Sequence, residues 1–472
     1  MKSTNKTNNN NTATPFPSSL SYEPTSVLDP RATSSPASAL SAATTDPCNI
    51  IQPSNPLDES DALSWLLYEK DNLSPPLKPY QHNFTDDLLD PFQPQITSFT
   101  HEYNHLELLV QASHLIDTGD LQSAHQLLAR LNQYFPSPSG VPIHRAAFYF
   151  KEALLSALSL QDQPAEQPLS AVEVVCRINA QRLFSDLSPI PRFASFTANQ
   201  SILEALDTIG QPPPSIHVID FDLGLGGQWS SFSQAVAERS CLARMVPPAI
   251  RLTAVVQNRT PETTLAAENL CDFAQSLGLR FSVDIVCVAG IGFHALGRIQ
   301  LIQGEPVAVV LSPAKVCLKS SGADTYKLLQ HFLHIAVPRV VVSVDTDCFN
   351  PTSLSQSVAS GLEFYGSLIE SVEAAAASMG MGEEAVRRVE LGIFRPKISE
   401  VVGSWCGQSE PFHEMLNGAR LTPVGFSQNT VAQAEWLLRG ASVDGYQVPR
   451  RDASLVLSWH GKDLVVTSAW RS

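Results

Sequence analysis

No glycine occurs in the first 100 residues, although the chain has 24 of them. The same segment holds 13 of the 34 prolines and is rich in serine, threonine and asparagine. It has too little apolar surface to offset its chain entropy, so residues 1–100 are expected to form a disordered arm. The eight cysteines, at 48, 176, 241, 271, 287, 317, 348 and 406, include no CxxC pair. Reduced thiols in the cytosol or nucleus are the expectation. Apolar runs are all shorter than the roughly 18 residues of a membrane-spanning helix. The opening MKSTNKTNNNNTATPFP lacks the apolar stretch of a secretory signal. Basic charge is scarce: 31 Lys and Arg against 46 Asp and Glu, a net charge of -15. Such a chain does not attract phosphate backbones as a whole, so nucleic-acid contact needs a local basic patch. Neither a GxSxG nucleophile elbow nor a GxxxxGK phosphate loop is present.

Two islands interrupt the arm. LDESDALSWLLYEKD (57–71) places Leu63, Trp65, Leu66 and Leu67 among acids, and FTDDLLDPF (84–92) repeats the pattern. Acidic–hydrophobic alternation suits a segment that folds onto a partner groove. From residue 103 the spacing becomes helical. Leu106 and Leu109 recur at helix spacing, Gly119 breaks the run, and Asp120 is the expected N-cap of a helix carrying Leu127, Leu128 and Leu131 on one face. Such a stripe is mainly core, with pairing to another chain as the lesser alternative. Further helices are expected near 144–160, 168–186, 194–209 and 355–385. After residue 210, short β-rich runs alternate with helical ones: 216–221, 251–256, 280–288, 306–312 and 339–345. That alternation predicts βαβ units and a buried parallel sheet. SLVLSW, HGKD and LVVTSAW (454–470) read as an antiparallel hairpin closing the sheet. The expected fold is α/β: a Rossmann-like, methyltransferase-like doubly wound sheet with a C-terminal hairpin and a helical cap.

The sharpest local feature is HVIDFDLGLGGQW: His217, Val218, Ile219, Asp220, then Asp222, Gly224, Gly226, Gly227, Gln228 and Trp229. A strand that ends in acids before a glycine-rich turn can hold an anion or nucleotide at the next helix. The GxGxxG spacing fails, however, because Trp229 takes the third glycine position. An S-adenosylmethionine site would want an acid after the second strand, where Gln257 and Asn258 stand instead. A structural turn is the favoured reading, and a methyltransferase or small-molecule site on this loop is the alternative. HEYNH (101–105) matches HExxH formally, but Leu108 and Gln111 stand where a metzincin needs Gly and a third His. His331 and His334 read as helix-face residues. No catalytic residue, metal ligand set or cofactor is therefore assigned. Arg387–Arg388 and Arg450–Arg451 are the adjacent basic pairs, and neither makes a nuclear signal. Lys151, Arg177 and Arg182 could contribute to a surface patch.

HVIDFD, FTANQSILEA (196–205) and the closing LVLSWHGKDLVVTSAWRS, with Trp459, Gly461, Leu464, Ser468, Ala469 and Trp470, resemble the motifs of the GRAS family of plant regulators. The resemblance covers 103–472. DLGLGGQW, FRPKI (394–398) and 427–448 look most like the hairy-meristem branch of scarecrow-like proteins. It implies a helical cap (103–209 plus about 355–385) on an α/β core (210–354 and 386–472). It further implies nuclear transcriptional co-regulation without enzymatic activity, through transcription-factor and co-regulator partners, homeodomain proteins of the WUSCHEL type among them. Homo- or heterodimers with other GRAS proteins, DNA contact by such dimers and a role in meristem maintenance are further expectations. The leucine-rich helices, with Leu106, Leu109, Leu127, Leu128 and Leu131, match a region tied to partner binding. No membrane partner is implied.

Overall fold

The computed structural model describes residues 96–159, 170–207, 213–318, 324–346, 353–403, 412–451 and 453–472. The arm to residue 95, with its segments 57–71 and 84–92 and with Leu63, Trp65, Leu66 and Leu67, lies outside the described residues. Five helices come first: α1 (Ile96–Asp117), α2 (Leu121–Leu131), α3 (Pro142–Ser159), α4 (Ala171–Leu187) and α5 (Ile190–Asp207). The alternating part follows as β1 (Ser215–Asp220), α6 (Gly227–Ala243), β2 (Ala249–Val256), α7 (Pro261–Ser276), β3 (Phe281–Cys287), a 3-10 turn (Gly292–Arg298), β4 (Val307–Leu311), α8 (Pro313–Leu318), α9 (Asp324–Ala336) and β5 (Val340–Asp345). Then come α10 (Leu354–Ser378), α11 (Glu383–Val389), a π-helical turn (Glu390–Phe394), α12 (Arg395–Gly403), α13 (Phe412–Gly418), β6 (Thr422–Val424) and α14 (Gln428–Leu438). The chain closes with β7 (Tyr446–Gln447), β8 (Arg450–Arg451), β9 (Ser454–Trp459) and β10 (Lys462–Arg471). No described helix is long and apolar enough to cross a membrane.

The strands form one sheet in the order β3-β2-β1-β4-β5-β10-β9-β7, with β6 on β10 and β8 on β9. β1 to β5 are parallel; β10 lies antiparallel to both β5 and β9. This is the expected doubly wound sheet closed by a hairpin. β4 (VAVVL) and the first four residues of β5 (VVVS) are buried throughout because both of their faces are covered. One face, with Val218, Leu252, Ala308 and Val342, packs on α5, α6 and α7 through Ile202, Phe232 and Leu270. The other, with Ile219, Val309 and Val341, packs on the 3-10 turn, α9 and α13 through Phe293, Phe332 and Leu416. The hairpin turns at His460 (φ 46) and Gly461 (φ 82), the two left-handed positions that a tight two-residue hairpin turn requires.

A third core joins α1–α4 and α10–α12 to the outer part of the hairpin, where Leu455, Leu457, Trp459 and Val465 are buried with Phe150, Tyr365 and Phe394. α3 and α10 touch closely at Gly361, where the Phe150 ring occupies the space a Cβ would take. Asp117, at the end of α1, caps α10 from 237 residues away: its Oδ1 accepts from the Leu354 amide and its Oδ2 from the Ser355 amide, both at 3.0 Å. Those amides are helix-end donors with no intrahelical partner. Asp117→Ala is therefore expected to lower the stability of the full chain by about 1 kcal/mol. Asp117→Asn, which keeps an acceptor, should lose less. Thermal melting measures both, and equal melting of all three proteins would refute the cap.

Helix boundaries shift where local chemistry intervenes. Asp120 is the N-cap of α2, accepting from the Ser123 amide. α4 opens on a reciprocal capping box between Ser170 and Glu173. The helix expected over 355–385 stops at Ser378. Gly380 takes φ 69, and the Gly380 and Met381 amides bond back to Ala377 and Ala376, which is a Schellman ending.

Candidate functional site

The turn after β1 puts the sequence's candidate residues together. Alternation along β1 points His217 and Ile219 to one face and Val218 and Asp220 to the other. Asp220 is 1% exposed, at the end of the strand. Its Oδ1 accepts from the Asp222 amide at 2.9 Å and its Oδ2 from the Trp229 indole N–H at 2.7 Å. Trp229, in the first turn of α6, is fully buried, edge-to-face with Phe232. The chain reaches this position through Gly224 (φ 53) and Gly226 (φ 79), conformations that disfavour side chains other than glycine. Gly226 is the N-cap of α6 and offers no side-chain cap. Asp222 is exposed, and a Cβ on Gly224 or Gly227 would meet nothing within 4 Å. The outer lip of the loop thus faces open space, while the carboxylate behind it is engaged by the chain's own indole. Gln257 and Asn258, after β2, are exposed and supply no acid to grip a ribose.

The residues carrying the three family-like motifs meet on α5. Thr197 shares a buried 2.8 Å hydroxyl contact with Thr467 of β10. Asn199 donates to the Gln228 carbonyl at 3.1 Å. Glu204 accepts from Ser427 and Thr430 at the start of α14. In the hairpin, Trp459 lies in the cap core against Tyr446, while Trp470 belongs to the core on the α9 side and donates to the Ser468 hydroxyl at 2.9 Å. Ala469 is buried with the α5–α7 layer and Gly461 forms the exposed turn. Neither α14 nor the role of α5 as a hub is written in the apolar periodicity; the polar residues at 197, 199 and 204 are the available signal.

His217 is fully buried, with Nε2 2.8 Å from the Thr253 hydroxyl and Nδ1 4.0 Å from Glu305. Burial, with the Arg251 charge adding to it, lowers its pKa to about 4, so it is a neutral core residue near pH 7.

Several sequence candidates find other partners. His105 of HEYNH stacks on Tyr134 with ring centroids 3.6 Å apart, and no three metal-ligating side chains converge among the described residues. Lys151 is a correction: it is buried rather than on a surface patch. Its ammonium donates to Asn132 Oδ1 and the Phe135 carbonyl, both at 2.7 Å, and so satisfies the chain leaving α2. Arg388 pairs with Glu384, Arg450 with Glu435 and Arg451 with Asp463. Leu109, Leu127, Leu128 and Leu131 lie in the cap core of this fold, and Leu106, half-buried against it, keeps part of its surface exposed. His331 and His334 are exposed on α9, and Cys176, Cys241, Cys271 and Cys287 are free thiols.

The GRAS domain family model matches residues 105–471. Scarecrow-like protein 15 of Arabidopsis thaliana is 37% identical over 378 residues, covering 78% of this chain and 75% of that protein. Scarecrow-like protein 6 of the same plant is 31% identical over 374 residues, 77% of this chain and 62% of the relative. The crystal structure of SCL7 in Oryza sativa superposes with a TM-score of 0.58 at 25% identity, covering 78% of this chain and 99% of that one. With a family model matching residues 105–471 and a relative 37% identical over 78% of the chain, this chain belongs to the GRAS domain family.

Proposed function

We propose that the chain is a non-enzymatic transcriptional co-regulator that acts in the nucleus by binding other proteins. The observation that carries this is the pairing of Asp220 with the buried Trp229 indole. In an open α/β sheet, ligands bind beyond the carboxyl ends of the strands at the switch between β1 and β4. Here the acid at that point is spent on the chain's own side chain. A donor that needed this carboxylate would have to displace an indole buried in the core. The motif residues from His217 to Trp229 thus act as scaffold, holding α5 and α6 against the sheet. The methyltransferase alternative rests on the open lip at Gly224 and Gly227 and lacks a second acid.

In this reading, residues 1–100 engage co-regulators through Leu63, Trp65, Leu66 and Leu67. Helices α1–α4 and α10–α12, which share one core, form a cap, and the rest presents docking surfaces. Kinship with the hairy-meristem branch, a meristem role, transcription-factor partners of the homeodomain type, pairing with other GRAS proteins and DNA contact by the pair rest on the motif resemblance alone. Titrating the purified full chain with S-adenosylmethionine in a calorimeter is the direct test. No binding heat is expected at micromolar ligand. Saturable micromolar binding would move the assignment to the methyltransferase.

A further inference from the structure

The rim opposite the Asp220 turn, at the N-terminal ends of the parallel strands, carries an unusual set of side chains. Four backbone hydrogen bonds line it up. The Ala249 amide bonds to Pro214 O, His217 to Pro306 O, Arg339 to Val307 O and Ile250 to Arg280 O, at 2.7–3.0 Å. The starts of β3, β2, β1, β4 and β5 therefore stand in one row. Adjacent strands are about 4.8 Å apart, so β2 and β5 begin about 14 Å from each other. Just before β2 come Leu242, 86% exposed, Met245, and Val246, 83% exposed. Ile302 is exposed before β4, and Ile335 and Val337 before β5, with Val337 at 67%.

Val337 is also held at φ 41, a left-handed conformation that a β-branched residue rarely adopts. Arg244, between Leu242 and Val246, sits at φ 52. Asparagine at 337 would relieve the strain, and glycine would tolerate it.

Charge at this rim runs against the chain as a whole. The net charge is -15, yet Arg244 and Arg280 are exposed here and form no ion pair among the described residues. Of the acids around it, Asp207 pairs with Arg239 and Glu305 with Arg251, while Glu238, exposed one turn before Leu242, accepts among the described residues only from the Gln234 side-chain amide. A second copy docked on a two-fold axis would bring these arginines against themselves. A phosphate backbone would suit the arginines but leave Leu242, Val246 and Val337 with nothing apolar to bury against.

We propose that this rim docks an acidic, leucine- and tryptophan-bearing segment of a partner protein, its apolar side chains covering Leu242, Val246 and Val337 and its carboxylates meeting Arg244 and Arg280. The proposal deepens the partner-binding reading above and rests on it. The test uses the purified full chain and a fluorescein-labelled synthetic peptide that alternates aspartate or glutamate with leucine around one tryptophan. Fluorescence anisotropy should show saturable binding. Changing Leu242→Ser with Val246→Ser should weaken it about tenfold or more. Arg244→Glu with Arg280→Glu should weaken it by a similar factor, and by more at low salt than at high. A peptide with lysine in place of its acids should bind at least about tenfold more weakly. Val337→Asn supplies a control for folding: binding should fall while the thermal midpoint holds or rises. The proposal is overturned if the rim variants bind the peptide as the unmodified chain does, if the lysine peptide binds equally well, or if sedimentation shows that those variants split a dimer. None of these results would change the S-adenosylmethionine titration, which tests the partner-binding reading separately.

Discussion

Trp229→Ala is expected to lower the stability of the full chain by about 3–5 kcal/mol, a cost typical of emptying a large aromatic from a core. Two effects add. The indole leaves a void beside Phe232 and the α5–α7 layer. Asp220, 1% exposed, loses the indole's hydrogen bond to its Oδ2. A hydrogen bond to a charged group contributes about 1.5–3 kcal/mol. Trp229→Phe separates the two, because it keeps most of the ring volume and removes the N–H. It should cost less than the alanine but still measurably destabilise. Thermal melting with near-ultraviolet circular dichroism reads both, and an alanine variant melting with the parent would remove Asp220–Trp229 as the pin of the turn. The same variant offers a second reading of function. If the crevice is a latent ligand site, opening it should create S-adenosylmethionine binding that the parent lacks; if it is scaffold, it should only weaken the fold.

The parallel strands were legible because a strand buried on both faces is written as a continuous apolar run. The runs at 216–221, 251–256, 280–288, 306–312 and 339–345 fall within two residues of β1 to β5. Caps were legible where one residue type does the capping, as at Asp120. What a side chain faces across the fold was not. Trp229 reads in sequence as the residue that spoils a glycine fingerprint; only the fold shows its N–H meeting Asp220. Lys151 reads as surface charge, but its ammonium closes the chain after α2. α14 went unread because its buried positions Thr430, Val431 and Ala434 are small and lie among polar residues. The rim of Leu242, Val246 and Val337 is invisible to periodicity, since exposure of a single apolar residue follows from where a helix ends or a strand begins.

The least legible feature is the charge network at Glu390, and it carries the second large expectation. Glu390 is 1% exposed, in the first position of the π-helical turn, where the Arg395 amide reaches back five residues to its carbonyl. Gly392, two residues on, backs directly onto the Ala180 side chain of α4, with no room for a Cβ. Arg145 Nε of α3 lies 3.0 Å from Glu390 Oε1, the Tyr149 hydroxyl donates to Oε2 at 2.8 Å, and Arg387 flanks the latter at 3.5 Å. Tyr149 and Glu390 are 241 residues apart in sequence. Burial pushes the Glu390 carboxyl up, against the opposing pull of Arg145 and Tyr149. A carboxyl raised in the folded state binds its proton more tightly there, so its contribution to stability falls as pH rises above the ordinary glutamate range. The charge itself is therefore a cost at neutral pH, which its partners offset. Removing it alone leaves Arg145 with Glu373 and the Gly140 carbonyl, and Tyr149 without its acceptor. Glu390→Ala should then cost about 3–5 kcal/mol, the usual penalty for breaking a buried pair from one side. Glu390→Gln keeps an acceptor for Tyr149 and removes the buried charge, so it should cost clearly less and lose the pH slope above the glutamate range. Combining Glu390→Ala with Arg145→Leu should destabilise by less than the sum of the two single changes, because the second removes the charge that the first strands. Urea denaturation of the four variants measures the coupling. Additivity to within about 0.5 kcal/mol would mean that the two residues act independently, and that the π-helical turn is held by the packing of Ile393 and Phe394 instead.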